Sequence, residues 1–388
     1  MRVLLLLLAL LPLQAWAQPL VVGAALPLSG QLADLAADMQ RALVLWQESR
    51  NAAGGLLGRR VELKLLDDRS EALASTTLYE QLIDTERAAL LLGPFGSAAS
   101  LSAAAVAERR RRVLVNVTGV TGNVHRPGTR YVFQVPAPVA AYGEGALAIV
   151  RSTGYRRLHV VARNDPGSLE AAAQLVERAA AAGLEPGPVE SVPAGAGDYA
   201  VQIAKARARD AQAWIAFGQP EDAANMVKSF KRIGYAPWLF LAQGAAEPRF
   251  LKFVGQDAEF VLGVSPYEEA FRTRGNREFV EAWRKRWSTD PGAMAATAYA
   301  SLLVLEEAVR KAGTVESERL RAALAALDTE TPIGPYRVDA RGGQTGVKPA
   351  MVQIVAGRRE IVWPESLATA KWRLPYPRWD ERKPLVAQ

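Results

Sequence analysis

From Leu20 to Val264 short apolar runs alternate with stretches whose apolar residues recur every three or four positions. This alternation constrains the fold more than any other feature. Leu20–Leu26 reads as a buried strand that ends in the turn cluster Pro27-Leu28-Ser29-Gly30. Asp34 to Asn51 reads as a helix with Leu35, Met39, Leu43 and Trp46 on one face, stopped by Gly54-Gly55. Strands are predicted over Val61–Leu66, Ala88–Leu92 and Val113–Val117, with helices over Ser75–Glu86 and Ser97–Glu108 between them. Parallel strands need crossover connections, and helices supply them while covering both sheet faces. The series therefore predicts a doubly wound parallel sheet.

The pattern restarts after Pro136-Ala137-Pro138. Helices are predicted over Ala141–Ser152, Leu169–Ala182, Tyr199–Ala208 and Glu221–Ile233. Strands are predicted over Leu158–Ala162, Val189–Val192, Trp214–Gly218, Trp238–Leu241 and Phe260–Val264. A chain of 388 residues has room for two such α/β units at roughly 150 residues per domain. The rest adds helices over Asn276–Trp287, Ala293–Ala312 and Ser317–Leu327, then a hairpin of Met351–Val355 with Glu360–Val362. So few elements after two complete units imply a chain that crosses back between them. The proline-bearing tail from Pro364 is expected to lie irregularly against the surface.

Residues 1–17 read as a signal segment: Met1-Arg2, an apolar run from Val3 to Leu13, and Ala15-Trp16-Ala17 with small residues at the cleavage positions. The expected cut follows Ala17 and releases a soluble periplasmic protein. The chain has no Cys, which removes any lipid-anchor thiol, disulfides, thiol nucleophiles and Cys/His metal cages. The net charge of +7 is spread along the chain, so no nucleic-acid partner is expected. The basic run Arg109–Arg112 closes a helix, where cations complement the dipole.

Enzyme chemistry lacks parts. Of the two His, His159 falls inside an apolar strand and His125 in a loop, where it reads as a surface residue. No Gly-rich phosphate or dinucleotide motif follows a strand. Asp67-Asp68 reads as a pair of solvated turn formers. Binding is better supported. Ser97 sits where the turn Gly93-Pro94-Phe95-Gly96 feeds a helix, so it can cap that helix beside an anion-binding N-terminus. The loop Thr118-Gly119-Val120-Thr121-Gly122 follows the next strand. Ligands of open α/β sheets bind at such carboxyl ends, and together the two loops point to a carboxylate.

Asn51-Ala52-Ala53-Gly54-Gly55-Leu56-Leu57-Gly58-Arg59-Arg60-Val61-Glu62-Leu63, followed by Asp67-Asp68, resembles the early signature of leucine/isoleucine/valine-type periplasmic binding proteins. Gly23–Gly30, Gly93–Ser97, Tyr131–Gln134, Gly197-Asp198-Tyr199 and Ile333-Gly334-Pro335-Tyr336 extend the resemblance in order through most of the chain. It implies the type I fold of that family: two doubly wound parallel-sheet lobes joined by a three-strand hinge. By that pattern lobe 1 is 18–137 with 266–343, and lobe 2 is 138–265 with 344–388. The crossovers fall near Val135–Val139, Val264–Tyr267 and Arg341–Val347.

The resemblance further implies a monomeric solute receptor of an ABC importer. It would bind a small molecule, deliver it to the membrane permease, and need no cofactor, metal or catalysis. A ligand sensor acting on a signalling partner is the alternative. Ser97 and Thr121 stand where relatives hold an amino acid's carboxylate, and Gly119 where a backbone carbonyl meets its ammonium. Leu35 and Ser168 replace aromatics. Gln243 replaces the acid that would pair with the ammonium, and a neutral amide cannot supply that charge. Asp165 could, although Asp before Pro166-Gly167 also reads as a turn former. The ligand classes left open are amino acids, amides and aromatic acids.

Overall fold

The computed structural model describes residues 18–382, so the expected signal segment lies outside the described residues. The first unit runs β1 (Leu20–Leu26), α1 (Ala33–Ala52), β2 (Val61–Asp67), α2 (Ala74–Asp84), β3 (Leu90–Leu92), α3 (Ser97–Arg110), β4 (Leu114–Asn116) and β5 (Val132–Gln134). Its sheet has the order β2-β1-β3-β4-β5, with every pair parallel. The second unit runs α4 (Glu144–Thr153), β6 (Arg157–Arg163), α5 (Pro166–Ala181), β7 (Glu185–Val192), α6 (Ala200–Ala208), β8 (Ala213–Phe217), α7 (Pro220–Ile233), β9 (Leu239–Ala242), α8 (Pro248–Val254) and β10 (Leu262–Ser265). Then follow α9 (Asn276–Trp287), α10 (Ala293–Ala312), α11 (Ser317–Ala325), β11 (Thr329–Thr331), β12 (Gly334–Tyr336), β13 (Ala350–Val355) and β14 (Arg358–Trp363).

The second sheet has the order β14-β13-β10-β9-β8-β6-β7. It is parallel from β10 to β7, while the late hairpin adds β13 antiparallel to β10. The helices of the third section return to the first unit. Buried faces of α10 and α1 meet there, and Trp46 Nε1 donates to Glu306 at 3.0 Å while Arg50 pairs with the same carboxylate at 2.9 Å. Elements β5, α8 and β11 were not expected, because runs of three to seven residues carry too little periodicity to announce themselves. Among the described residues no helix is long and apolar enough to cross a membrane.

The segments that pass between the units are tied by buried side chains. Gln344 Nε2 donates to the Val135 carbonyl at 2.9 Å, and the Gln134 N–H donates to the Gly342 carbonyl at 2.9 Å. His125 is 6% exposed, not the surface residue expected, with Nδ1 3.0 Å from the Arg341 carbonyl oxygen and Nε2 3.1 Å from Gln134 Oε1. Burial holds its pKa below the ordinary value. The tail also does more than cover surface. Tyr376 is buried in the second core, its N–H donates to the Trp238 carbonyl at 2.7 Å, and Trp379 Nε1 donates to that of Tyr235 at 2.7 Å. Arg110 pairs with Asp84 and Arg109 with Glu80, so the basic run is partly neutralised by acids of α2.

His159 lies in β6, buried against Trp214 with ring centroids 4.5 Å apart and Nε2 without a partner. Burial pushes its pKa down from 6.5 to about 4. The folded state therefore binds fewer protons than the unfolded chain between these values. Stability is expected to fall by up to about 3 kcal/mol as the pH drops from 6.5 to about 4. Urea unfolding across that window checks it, and His159→Leu should flatten the loss.

Candidate functional site

The two sheets point their carboxyl ends at one cleft, a cavity of about 390 Å³. Pro27 follows β1, Asp68 and Ser70 follow β2, Ser97 follows β3, and Thr118 follows β4; all line the cavity. From the second unit, Arg163, Asp165 and Ser168 reach it at the end of β6, Gln219 after β8, and Gln243 and Glu247 after β9. Parallel sheets place all these loops at one end because each return helix takes the chain back to the other end.

The start of α3 opens on the cavity without a side-chain cap. Gly96, at φ 84°, takes the cap position that Ser97 was expected to hold, and no side chain caps the helix. The Gly96 N–H donates to Thr118 Oγ1 at 2.7 Å, and that hydroxyl donates to the Pro94 carbonyl at 3.0 Å. Ser97 is instead the first helical residue and lines the cleft beside the unpaired N–H groups of the first turn.

Gly119 and Thr121, also candidates in the first unit, are committed elsewhere. Gly119 is absent from the cavity wall, and its carbonyl accepts from Asn116 Nδ2 at 2.7 Å. Thr121 is fully buried, off the wall, and its hydroxyl donates to Glu170 of α5. The Asp pair also departs from expectation. Asp67 accepts from Leu28 N, Ser29 N, Ser29 Oγ and Arg69 N, and those bonds, led by the Ser29 hydroxyl, hold its pKa down. Asp68 is 3% exposed, burial pushes its pKa up, and it faces the cleft.

In the second unit Asp165 caps α5, accepting from Ser168 N at 2.9 Å and Ser168 Oγ at 2.9 Å. Arg163 lies between Asp165 (3.7 Å) and the buried Asp222 (3.3 Å). Leu35, Phe95, Val120 and Val139 form an apolar wall. Gln243 lines the cavity, and four residues on, so does the half-buried Glu247, whose carboxylate accepts no hydrogen bond among the described residues. Burial pushes the Glu247 pKa up, opposed by Arg359 of β14 and Arg249 of α8 and reinforced by Asp38 of α1.

Arg163 and Gln219 carried a legible signal, since each sits at the carboxyl end of a predicted strand. Glu247 carried none, because its approach depends on the turn Gln243–Ala246. Among the described residues no cluster of three or more His, Cys, Asp or Glu could hold a metal ion.

Comparison with known proteins agrees with this architecture. A family model for periplasmic binding proteins matches residues 19–359. The chain belongs to the periplasmic binding protein family. It is 22% identical over 340 residues to a leucine-, isoleucine-, valine-, threonine- and alanine-binding protein of Pseudomonas aeruginosa, covering 84% of this chain and 87% of that protein. A leucine binding protein of Thermotoga maritima superposes with a TM-score of 0.77 at 21% identity, covering 88% of this chain and 97% of the other. A solute binding protein of Rhodopseudomonas palustris, solved with 3,4-dihydroxybenzoic acid, superposes at 0.76 and 21% identity, covering 88% and 95%. As in other periplasmic binding proteins, the fold is α/β, and the family's members are extracytoplasmic receptors for solutes.

The cap on α5 yields a test. Asp165→Ala should lower stability by about 1 kcal/mol through loss of the cap, measured by urea unfolding. An unchanged midpoint would contradict the capping role.

Proposed function

We propose that the chain is the solute receptor of an ABC importer, capturing a small carboxylate-bearing ligand in the cleft and delivering it to the membrane permease. Residues 18–137 with 266–343 act as one lobe and 138–265 with 344–388 as the other. Closure about the crossovers is the mechanism. The ligand bridges both walls and shifts the open–closed equilibrium by its greater affinity for the closed form. No bond is made or broken.

The observation that carries this reading is the uncapped start of α3, opening into the cleft beside the Ser97 hydroxyl. N–H groups and the positive dipole end favour a carboxylate there. Leu35, Phe95, Val120 and Val139 offer the ligand's apolar body a matching surface. Glu247 decides the remaining chemistry. A half-buried carboxylate with no donor of its own carries a desolvation cost, and an ammonium group would offset it. Glu247 thus supplies the charge that Gln243 lacks, which favours a zwitterionic amino acid over a plain aromatic acid or an amide.

A thermal-shift series with branched and aromatic amino acids, their amides and aromatic carboxylates tests this reading. A true ligand at 100 times its Kd should add about 2.7 kcal/mol of stability. Ser97→Ala should weaken carboxylate ligands by roughly ten- to a hundredfold, as loss of a charge-assisted hydrogen bond does. Glu247→Gln should weaken only ligands that carry an ammonium. Their affinity should also fall on acidification, as Glu247 takes up a proton through its raised pKa, and Glu247→Gln should flatten that dependence. Absence of stabilisation across the whole panel would overturn the proposal.

A further inference from the structure

Glu170 sits in the second turn of α5, on the second unit, yet its carboxylate is satisfied mainly by the first. Thr121 Oγ1 donates to its Oε2, and the Gly122 N–H donates to its Oε1 at 2.9 Å. Gln174 Nε2 supports it from its own helix at 3.1 Å. Among the described residues, these are the only side-chain hydrogen bonds that join the two units away from the crossover segments. The ion pair between the units, Arg359 with Glu268 at 3.4 Å, lies one residue from the crossover at Val264–Tyr267.

The surroundings are shaped for this contact. Thr121 starts the turn Gly122–Val124, and its hydroxyl accepts from Asn123 N at 3.3 Å while donating to Glu170, so both of its capacities are used. A Cβ on Gly122 would stand 2.9 Å from Glu170 Oε1, so the carboxylate approaches this closely because position 122 has no side chain. The first turn of α5 meets the first unit nearby, where a Cβ on Gly167 would lie 3.5 Å from Ser97 Oγ. Thr121, Gly122 and Glu170 all lie off the cavity wall, so a ligand in the cleft need not displace them.

We infer that Glu170 is a ligand-independent latch: by gripping Thr121 and Gly122 it holds part of the ligand-free population closed and so sets how much binding energy is left to show as affinity. The resting equilibrium between open and closed forms scales the apparent affinity for any ligand of the closed form. Thr121 then acts on binding through closure instead of by touching the ligand. The inference rests on the two-lobe reading proposed above, but it is independent of which ligand the cleft takes.

The absence of Cys makes the test clean. Leu73→Cys and Lys252→Cys, both exposed and one on each unit, take nitroxide labels whose separation is read by double electron–electron resonance without ligand. The parent should show a short-distance population. Glu170→Ala should lower the closed-to-open ratio by about tenfold, as expected for charge-assisted hydrogen bonds. Glu170→Gln should keep part of it. Gly122→Ala, which leaves Glu170 in place but crowds its carboxylate, should shift the distances in the same direction. It also carries the test if Glu170→Ala folds poorly. A parent that shows only the long distance, or variants with the parent's distribution, would overturn the latch. Neither result would bear on the ligand panel.

Discussion

Parallel pairing of β1 with both β2 and β3 is the constraint on which the rest of the molecule depends. It obliges the chain to return along a helix after every strand, and so gathers each strand's carboxyl-end loop on one side. The second sheet repeats the arrangement from β10 to β7. With two such sheets facing one another, the loops that carry Ser97, Thr118, Arg163 and Glu247 share one cavity although the sequence scatters them. The crossover segments hold that facing geometry through Gln134, His125 and Gln344, whose side chains satisfy backbone groups that would otherwise be buried unpaired.

Electrostatics inside the cleft follows from the same layout. The wall from the first unit offers donors, the start of α3 and the Ser97 hydroxyl, with the buried Asp68 carboxyl beside them. The facing wall offers acceptors and charge, with Arg163 already shared between Asp165 and Asp222 and Glu247 left without a donor. The start of α3 suits an anion, and Glu247 suits a cation. A small zwitterion, the ligand class proposed above, would match that polarity by spanning both walls.

Much of this was legible from residue order. The apolar runs at Leu20–Leu26 and Leu158–Ala162, separated by helical periodicity, announced buried parallel strands, because only strands covered on both faces stay apolar at successive positions. The rule that ligands sit at strand carboxyl ends brought out Ser97, and the resemblance brought out Leu35, Ser168, Asp165 and Gln243, all of which reach the cavity wall. Short or aperiodic pieces were not legible. Strand β5 has three residues, α8 has seven, and the seating of Tyr376 in the core depends on a tail with no periodicity at all.

Local sequence therefore determined the alternation of elements, the family and which strand ends carry candidate groups. These follow from backbone hydrogen bonding and from the burial of apolar faces within about twenty residues. Tertiary structure decided how each side chain is spent. Thr121 is held by Glu170, 49 positions away, instead of facing the cavity. Glu247, not Gln243, brings charge to the wall, and the late hairpin joins the second sheet while α10 returns to the first. Such pairings depend on where distant segments meet once both sheets have formed, and no local periodicity encodes that meeting.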